Sequence, residues 1–522
     1  MPSPRSAPVP IPAIPASAAR LPVPARCGYV SGMRTLKPST MLPVAEDATP
    51  LDAGIAPLLA AHPGQSGLAL VDRDLDAFAW RALSARQAGR SLDLQYYIWQ
   101  DDLTGRLLVR ELLQAADRGV RVRLLLDDLN ASRFDRTWLA LDSHPQIEVR
   151  LFNPARAREG LLQRGFEMML RAATLTRRMH NKAWIADGRL ALVGGRNIGD
   201  AYFAAGGDAA FRDMDLLLLG PAVAETGAIF DSFWNSRAAK PVARLLRRAR
   251  PGDLPALRAE LASRAAEARA QPYLERVAAD SSLRDIYDGG IEPFLYWTPD
   301  ARVLSDPPQK VAGRGEDAWL IRFVQPLLDG ARHRLDIVSP YFIPGEEGTR
   351  RLRTLNQNGV QVTVLTNSLA ATDVMAVHGA YAESRPGLLE GGVNLFELRP
   401  YDSFTRTSLF GSSSASLHTK AFIVDDGIGF VGSMNFDPRS VSLNSEMGVF
   451  FRDAALAERI RAVLAEELAP GKSWQLQLRD GRVVWLDASG GTTRLLEGEP
   501  EAGLWRRIAA WLIGLLPIHS QL

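Results

Sequence analysis

The sequence predicts an α/β protein made of two similar halves, and three observations lead to this fold class. A nonapeptide occurs twice, as MHNKAWIAD at 179–187 and as LHTKAFIVD at 417–425. A strand–helix–strand pattern precedes each copy, and a matching glycine-containing tract follows it. A plan repeated at this length predicts that each half forms an α/β layer, with the halves facing each other across a pseudo-twofold axis.

The length and composition fit this reading. At 522 residues the chain is too long for a single core, and two domains are expected. It is 46% hydrophobic and 23% charged, as in an ordinary soluble protein, and its net charge of +2 gives no global sign of nucleic-acid binding. The chain has only seven histidines and few lysines, yet each nonapeptide contains one of each, so composition does not explain the repeat.

The elements before each nonapeptide follow the same order. Residues 91–129 and 334–369 both begin with an apolar strand, followed by a loop and a segment with apolar residues three and four positions apart. A Gly-Val turn, at 119–120 and 359–360, then leads into a second apolar strand. A helix that connects two buried strands in this way predicts that the strands are parallel.

The tracts after each nonapeptide also correspond. ALVGGRNIGDAYF (191–203) aligns with GFVGSMNFDPRS (429–440), and RDMDLLLLG (212–220) aligns with LNSEMGVFF (443–451). The second pair predicts strands that carry one acid near the start, Asp215 or Glu446. Further on, SWQLQLRDGRVVWLD (473–487) is typical of a hairpin with Asp480 and Gly481 at its turn.

The chain therefore divides into five predicted parts. These are a disordered tail rich in Pro and Ala (1–50), a first domain (51–240), a helical connector (241–285), a second domain (286–488) and a C-terminal tail with an amphipathic helix (489–522). Lipoprotein anchoring at Cys27 is the less favoured reading, because Arg26 precedes it and no apolar run comes before. A single cysteine excludes an internal disulfide framework.

The nonapeptides have the chemistry of an anion site. In a strand, alternate residues share a face, so His180 lies with Lys182 and His418 lies with Lys420. Lysine supplies positive charge and histidine supplies a nitrogen that titrates near neutral pH. Two such pairs facing each other predict a symmetric cage for a phosphodiester, in which one imidazole is the nucleophile and the other the acid.

Residues in the following tracts complete the predicted cage. Gly195 and Ser433 belong to turns that let the backbone approach a ligand, and Asn197 and Asn435 offer amide donors for phosphoryl oxygens. Together these four residues are the predicted phosphate-binding set.

Four acids have separate predicted roles. Asp215 and Glu446, 35 and 28 residues after the histidine of their own half, are expected behind His180 and His418 respectively, where a carboxylate fixes the tautomer. Asp187 and Asp425 end the two nonapeptides and are expected to hold turns together. No cluster of acids has metal-binding spacing, so Lys182 and Lys420 are expected to neutralise the developing charge without a metal.

The duplicated His-X-Lys-X4-Asp motif, each copy followed by a Gly-Gly or Gly-Ser turn, resembles the phospholipase D superfamily. The resemblance covers about residues 55–490. It implies two similar α/β/α sandwich domains that share one active site, and a two-step reaction through phosphohistidine without cofactor or metal. It also implies that His180 is the nucleophile and that His418 is the acid and then the base.

Within this superfamily the chain resembles bacterial cardiolipin synthases, especially the C-type, in segments such as LDLQYYIW, DPPQKV and GSMNFDPRSVSLNSEMG. The resemblance implies a phosphatidyltransferase that acts on phospholipids and is attached peripherally to the bacterial cell membrane. The C-terminal segment LWRRIAAWLIGLLP fits a helix lying in a lipid surface. Its predicted membrane contacts are Trp505, Arg506, Arg507 and Trp511, and docking against the protein itself is the alternative.

Three other functions stay open at this stage. The same residues could hydrolyse phospholipids to phosphatidic acid if water intercepts the intermediate. A nuclease or phosphodiesterase should have a basic groove with stacking aromatics, of which the net charge of +2 gives little sign. A non-catalytic lipid-binding scaffold is disfavoured because both copies of the motif are intact.

Overall fold

A computed structural model describes most of the chain. The described residues are 38–44, 49–155, 177–205, 210–246, 249–250, 252–267, 270–271, 291–400 and 416–514. Cys27 and most of the predicted disordered tail lie outside them. Within the described ranges, no helix has the length and apolar character needed to cross a membrane.

Nine strands form the first sheet. In spatial order they are β10 (Tyr296–Thr298), β1 (Ser66–Val71), β8 (Asp215–Leu219), β6 (Leu190–Gly194), β5 (Ala183–Ala186), β2 (Ser91–Tyr96), β3 (Arg121–Asp127), β4 (Ile147–Phe152) and β9 (Ala239–Pro241). Strands β2, β3 and β4 are parallel, and the other neighbours are antiparallel.

The second sheet repeats the central order of the first and extends it at one edge. Its strands are β11 (Ala301–Ser305), β18 (Met447–Arg452), β17 (Ile428–Gly432), β16 (Ala421–Val424), β12 (Arg334–Val338), β13 (Gln361–Asn367), β14 (Asn394–Leu398), β19 (Ser473–Arg479), β20 (Arg482–Asp487) and β21 (Arg494–Glu497). A parallel ribbon of β7 (Phe211–Arg212) and β15 (Ser416–Leu417) joins the two halves.

The helices cover the sheets. Those of the first half and connector are α1 (Pro50–Ala61), α2 (Asp74–Gln87), α3 (Leu103–Asp117), α4 (Asp128–Ala131), α5 (Asp135–Asp142), α6 (Pro221–Trp234), α7 (Val242–Leu245) and α8 (Asp253–Ala265). Those of the second half are α9 (Ile321–Asp329), α10 (Gly345–Gln357), α11 (Met375–Ala382), α12 (Arg385–Glu390), α13 (Pro438–Ser442), α14 (Ala454–Glu467) and α15 (Leu504–Gly514).

The predicted duplicated α/β fold is confirmed. Helix α3 connects the parallel strands β2 and β3, and α10 connects the parallel strands β12 and β13. The predicted hairpin is also present: Arg479 pairs with Arg482, and Asp480 and Gly481 have φ angles of 49° and 72°. Both angles are those of the favoured two-residue hairpin turn.

One apolar core is shared by both halves and fixes their relative position. Ala183 and Ile185 of β5 pack in the same cluster as Ala421 and Ile423 of β16, and all four side chains are buried. These residues alternate with the side chains of the motif faces, as expected for strands. The shared core therefore holds the two His-X-Lys segments next to each other at the junction.

The predicted domain limits differ from the structure in three places. Residues 38–44 are docked on the first half, where Ser39 and Met41 bond to the side chains of Asn235 and Asp231, so this part of the tail is ordered. Strand β10, predicted in the second domain, pairs with β1 of the first sheet. Strand β21 continues the second sheet beyond residue 488. In the first two cases, hydrogen bonds to segments distant in the chain override the local sequence signal, whereas β21 extends the hairpin that directly precedes it.

Candidate active site

Each His-X-Lys segment is clamped by backbone bonds to the opposite half. The His180 N–H donates to Ser445 O and the His418 N–H donates to Arg212 O, both at 2.8 Å. Ser445 and Arg212 each directly precede an acid of the tract after the motif turn. Both motifs therefore lie beside the acid that the other half supplies.

The two imidazoles pair with these acids across the junction. His180 Nδ1 lies 2.8 Å from Glu446 Oε2, and His418 Nδ1 lies 2.6 Å from Asp213 Oδ2. A carboxylate only accepts hydrogen bonds, so Nδ1 carries the proton and the lone pair of the neutral ring is on Nε2. Each dyad combines one residue from each half, and the candidate site exists only where the halves meet.

The sequence prediction for Asp215 was wrong. Asp215 Oδ2 accepts a hydrogen bond from Arg81 Nη2 at 2.9 Å and lies 3.7 Å from Arg196 Nη1, fully buried behind the site. Asp213 takes the place behind His418. Glu446 does lie behind an imidazole, but that imidazole belongs to the other half.

The strand register explains the displacement. Asp215 pairs with Gly194, whereas Gly448, not Glu446, pairs with the equivalent Gly432. The counterpart of Glu446 is therefore two residues before Asp215, and a shift of two keeps the same strand face. In both tracts a methionine directly follows the acid that contacts histidine, and this shared dipeptide was a signal that could have found the right residue.

The two lysines are almost completely buried beside the imidazoles. Lys182 Nζ donates to His180 O at 2.8 Å, and Lys420 Nζ donates to His418 O. Burial lowers the pKa of Lys420 to about 8 and holds the pKa of Lys182 well below its usual range. Because burial disfavours these charges, an anion between the lysines would be strongly attracted.

The same surroundings act on the histidines. Burial, followed by the charges of Lys182 and Lys420, holds the pKa of both His180 and His418 well below the usual value. The charge of His180 also lowers the pKa of His418, so the two rings share one electrostatic environment. The site thus has two neutral imidazoles and two lysines, an arrangement that suits a bound phosphodiester.

Aromatic side chains that sequence reasoning missed line both imidazoles. The Tyr97 ring centre lies 5.0 Å from that of His180, and the rings of Tyr202 and Phe211 lie 5.2 Å and 5.1 Å from that of His418. Burial raises the pKa of Tyr97 to about 12, so its hydroxyl stays protonated. These contacts bring together distant parts of the chain, and nothing local in the sequence signals them.

The two predicted phosphate-binding asparagines are not equivalent. Asn197 Oδ1 accepts from Ile98 N at 3.0 Å, and its Nδ2 donates to the Tyr202 hydroxyl at 2.9 Å. Asn435 is buried, and its Oδ1 finds no hydrogen-bond partner among the residues that the structure describes. Asn197 therefore supports an aromatic wall, whereas Asn435 keeps a polar atom that a ligand could engage.

The two predicted turn residues contact the acids instead. A Cβ on Gly195 would lie only 2.2 Å from Asp213 Oδ1, so only glycine leaves room for this carboxylate. Ser433 Oγ donates to Glu446 Oε2 at 2.5 Å. The structure gives Gly195 and Ser433 contacts with the dyads, and whether they also touch a phosphate stays a prediction.

Asp187 and Asp425 have the contacts of turn-holding residues. Asp187 accepts hydrogen bonds from the N–H groups of residues 89–91, and Asp425 accepts from those of residues 332–334. Their φ angles are 52° and 46°, in the left-handed region that aspartate tolerates. Each acid thus ties the end of a motif strand to the start of its neighbour, away from the imidazoles.

The C-terminal helix α15 has one docked face and one exposed face. Arg506 Nη2 donates to the carbonyls of Leu369 and Thr372, and Arg507 Nη2 donates to Glu499 O. The side chain of Trp505 is 77% exposed. The arginines dock on the protein, as the alternative prediction has it, whereas Trp505 faces outward and its contact with a membrane stays a prediction. The Trp511 side chain lies outside the described part.

Comparison with known proteins points to one family. A family described as "Cardiolipin synthase, PLD-like domain" matches residues 84–234 and 324–468. Cardiolipin synthase C of Escherichia coli (strain K12) is 41% identical over 480 residues, covering 90% of this chain and 99% of that protein. An uncharacterized protein of Helicobacter pylori (strain ATCC 700392 / 26695) is 32% identical over 493 residues, covering 92% and 95%. The crystal structure of phosphatidylserine synthase from Haemophilus influenzae Rd KW20 has a TM-score of 0.57 at 14% identity, covering 87% and 95%, which is a likeness of fold.

Proposed function

Because this chain belongs to the cardiolipin synthase family of phospholipase D-like proteins, we propose that it is a phosphatidyltransferase that forms cardiolipin through a phosphohistidine intermediate. The observation that carries the proposal is the pair of histidine–carboxylate dyads, each built from both halves, beside two buried lysines. The substrates are phospholipids, and the reaction needs a nucleophile and an acid at one phosphorus.

The first step is a displacement at the phosphorus of a donor phospholipid. His180 Nε2 forms the new P–N bond, and the bond between phosphorus and the headgroup oxygen breaks. His418 Nε2 gives its proton to the departing alkoxide, which leaves as an alcohol. The order of the two histidines rests on the family resemblance.

Substrate binding enables His418 to take up a proton from the solvent. Without an anion, the lysine charges and burial keep both imidazoles neutral. The negative phosphodiester offsets the charges of Lys182 and Lys420, which raises the pKa of the imidazoles. One imidazole then takes up a proton while the other bonds to phosphorus, so the acid is charged only when substrate is present.

The second step reverses the roles. The hydroxyl of a second lipid attacks the phosphorus, and neutral His418 takes its proton. The P–N bond breaks, and its electrons return to His180 Nε2. Lys182 and Lys420 stabilise the phosphoryl oxygens in both steps, where charge develops in a buried site.

The walls of the site favour a lipid hydroxyl over water as acceptor. Tyr97, Tyr202 and Phe211 cover the imidazoles with aromatic surface. Apolar cover limits the access of water to a reactive intermediate. Hydrolysis to phosphatidic acid is the expected side reaction when no acceptor lipid is present.

A peripheral position on the bacterial cell membrane fits this reaction. Leu504, Trp505 and Ile508 are exposed on one face of α15. Apolar side chains on one face of a helix, with arginine beside them, suit a lipid surface with anionic headgroups. We infer that α15 contacts the membrane through Trp505, with Trp511 on the same helix.

Product analysis tests the proposal. The purified protein is incubated with vesicles of labelled phosphatidylglycerol, with and without phosphatidylethanolamine, and the lipid products are resolved. The expected result is labelled cardiolipin from the wild type and none from His180→Ala or His418→Ala. His333→Ala is the control, because His333 is exposed and lies outside the site.

Trapping the phosphohistidine intermediate is a second test of the proposal. Acid quenching destroys a phosphohistidine and alkaline quenching preserves it, so label that survives only alkaline conditions supports the covalent step. If phosphatidic acid were the sole product, the protein would be a phospholipase and not a transferase. Cleavage of DNA or RNA with no reaction on lipid would overturn the proposal.

A further inference from the structure

A buried lysine outside the motifs adjoins the site. Lys310 follows β11 in the segment DPPQKV and is fully buried. Its Nζ lies 2.9 Å from both Asp306 Oδ2 and the carbonyl oxygen of Ser440, and 4.9 Å from the centre of the Trp319 ring. Removing an ammonium from water is strongly unfavourable unless the group is paired, as it is here. The proposed reaction has no use for this cation at the phosphorus.

The first link from Lys310 to the site runs through Asp306. The Asp306 N–H donates to Glu446 O, and the Glu446 N–H donates to Asp306 Oδ2, both at 2.8 Å. The other oxygen, Oδ1, accepts from Leu320 N at 2.8 Å. Lys310 thus balances the charge of the carboxylate that fixes the backbone of Glu446.

The second link runs through Ser440. Its carbonyl accepts from Lys310, while its hydroxyl donates to Glu446 Oε1 at 2.9 Å. The Ser440 hydroxyl also accepts from Asn435 N at 3.2 Å. Lys310 therefore holds both the backbone and the carboxylate of Glu446, each through one intermediate residue.

We propose that Lys310 is a positioning residue that keeps Glu446 in place and negatively charged behind His180. The inference rests on the proposed function, because it assigns Lys310 to the dyad that contains the nucleophile. Lys310 touches neither imidazole in these contacts, so its effect passes through Glu446. Asp306 and Ser440 are the two intermediates.

The charges around Glu446 define the pH effect. The charged or titratable groups that face it are His180, Lys182, Lys310, Lys420, Asp306 and Asp437. Burial raises the pKa of Glu446 to about 7, and the charges of Lys182 and Lys310 oppose this rise. Removing Lys310 should therefore raise this pKa further, so that Glu446 becomes protonated at a higher pH.

A protonated Glu446 is a weaker acceptor for the Nδ1 proton of His180 and no longer stabilises positive charge on that ring, so the nucleophile is held and activated less well. The acidic limb of the kcat–pH profile should consequently move to higher pH in Lys310→Met, by about one unit. At pH 7 kcat should fall about tenfold, with KM changed less than about twofold, because Lys310 does not contact substrate. The loss should shrink as the pH rises.

The test compares three variants on phosphatidylglycerol vesicles and on the soluble diester bis(p-nitrophenyl) phosphate. Lys310→Met removes the cation. Asp306→Asn/Lys310→Met also removes the buried carboxylate left without its partner, which protects the fold. Lys240→Met is the matched control, because Lys240 is exposed on the edge strand β9. Thermal unfolding of each variant is measured alongside the pH profiles.

The outcomes separate this inference from the proposed function. A shifted acidic limb in Lys310→Met, which moves back towards the wild type in the double variant because the opposing charge of Asp306 is also removed, supports a positioning role. A wild-type profile in Lys310→Met, with only the melting temperature changed, would show a merely structural ion pair and overturn the inference. If Lys310→Met fails to fold, the double variant decides through kcat: a kcat below that of the wild type at unchanged KM supports the inference, because the contact of Lys310 with Ser440 O is lost, and a wild-type kcat at every pH overturns it. If the wild type cleaves the soluble diester but forms no cardiolipin, the proposed transferase activity is overturned and the Lys310 test remains valid. Inactivity on both substrates overturns both proposals.

Discussion

Two carboxylates lie in equivalent positions in opposite halves, yet the protein surrounds them differently. Besides its imidazole, Glu446 accepts hydrogen bonds from the hydroxyls of Ser433 and Ser440. Besides its own imidazole, Asp213 accepts from the N–H of Met214, the next residue in the chain. Burial raises the pKa of both acids. The duplication has kept the dyad geometry, while the surroundings set the proton affinity of each acid separately.

The turn residues next to the two acids also differ between the halves. Gly195 leaves space that the Asp213 carboxylate occupies, and Ser433 supplies a donor to Glu446. In the second half, a supporting lysine, Lys310, follows β11. In the first half, the segment after β1 begins with Asp72, which pairs with Arg459. This asymmetry is what the two proposed catalytic roles require, because a nucleophile and an acid need different protonation states.

The largest expected effect separates the two dyads. Glu446→Gln and Asp213→Asn should each lower kcat for phospholipid by about 10³-fold, because an amide disturbs the imidazole tautomer. The leaving group of bis(p-nitrophenyl) phosphate needs no proton, so Asp213→Asn should regain fast release of the first p-nitrophenol from this substrate. Glu446→Gln should stay slow on the same substrate, because it disables the nucleophile. A burst of p-nitrophenol in stopped flow measures this difference.

The burst also tests the order of the histidines. Recovery by Glu446→Gln in place of Asp213→Asn would make His418 the nucleophile. Equal recovery by both variants would remove the functional difference between the halves. Melting temperatures close to that of the wild type are the control for folding.

The internal repeat predicted the fold and most site residues, but it could not predict pairing across the junction. A sequence repeat aligns a residue with its own half, so Glu446 was grouped with His418, whereas the structure pairs it with His180. The error at Asp215 arose because a two-residue shift preserves the strand face. Tyr97 and Lys310 were missed because their roles depend on three-dimensional neighbours, in the case of Lys310 on backbone atoms of other residues.

The next largest effect distinguishes Asp215 from Asp213. Asp215→Asn should lower the free energy of unfolding by about 3 kcal/mol, since it leaves the buried charges of Arg81 and Arg196 without a full partner. The rate–pH profile of the remaining folded enzyme should keep its wild-type shape, because no imidazole loses its carboxylate. Urea denaturation and a kcat–pH series are the two measurements. If Asp215→Asn kept the wild-type stability but shifted the pH profile, Asp215 would have to be assigned to the active site after all.

The smallest expected effect concerns binding to lipid vesicles through helix α15. Helix α15 packs on the second half, with Arg506 bonded to Leu369 O and Thr372 O and with Trp505 and Ile508 exposed on the other side. Trp505→Ser/Ile508→Ser should weaken binding to phosphatidylglycerol vesicles about tenfold, which corresponds to about 1.4 kcal/mol of lost apolar burial. Vesicle co-sedimentation measures it, and turnover on vesicles should fall far more than turnover of the soluble diester. Leu495→Ser is the matched control, because Leu495 is 54% exposed but lies on β21 outside the helix. Equal weakening by both changes would mean that the lipid surface meets the second half broadly, and unchanged binding by both would place the membrane contact elsewhere.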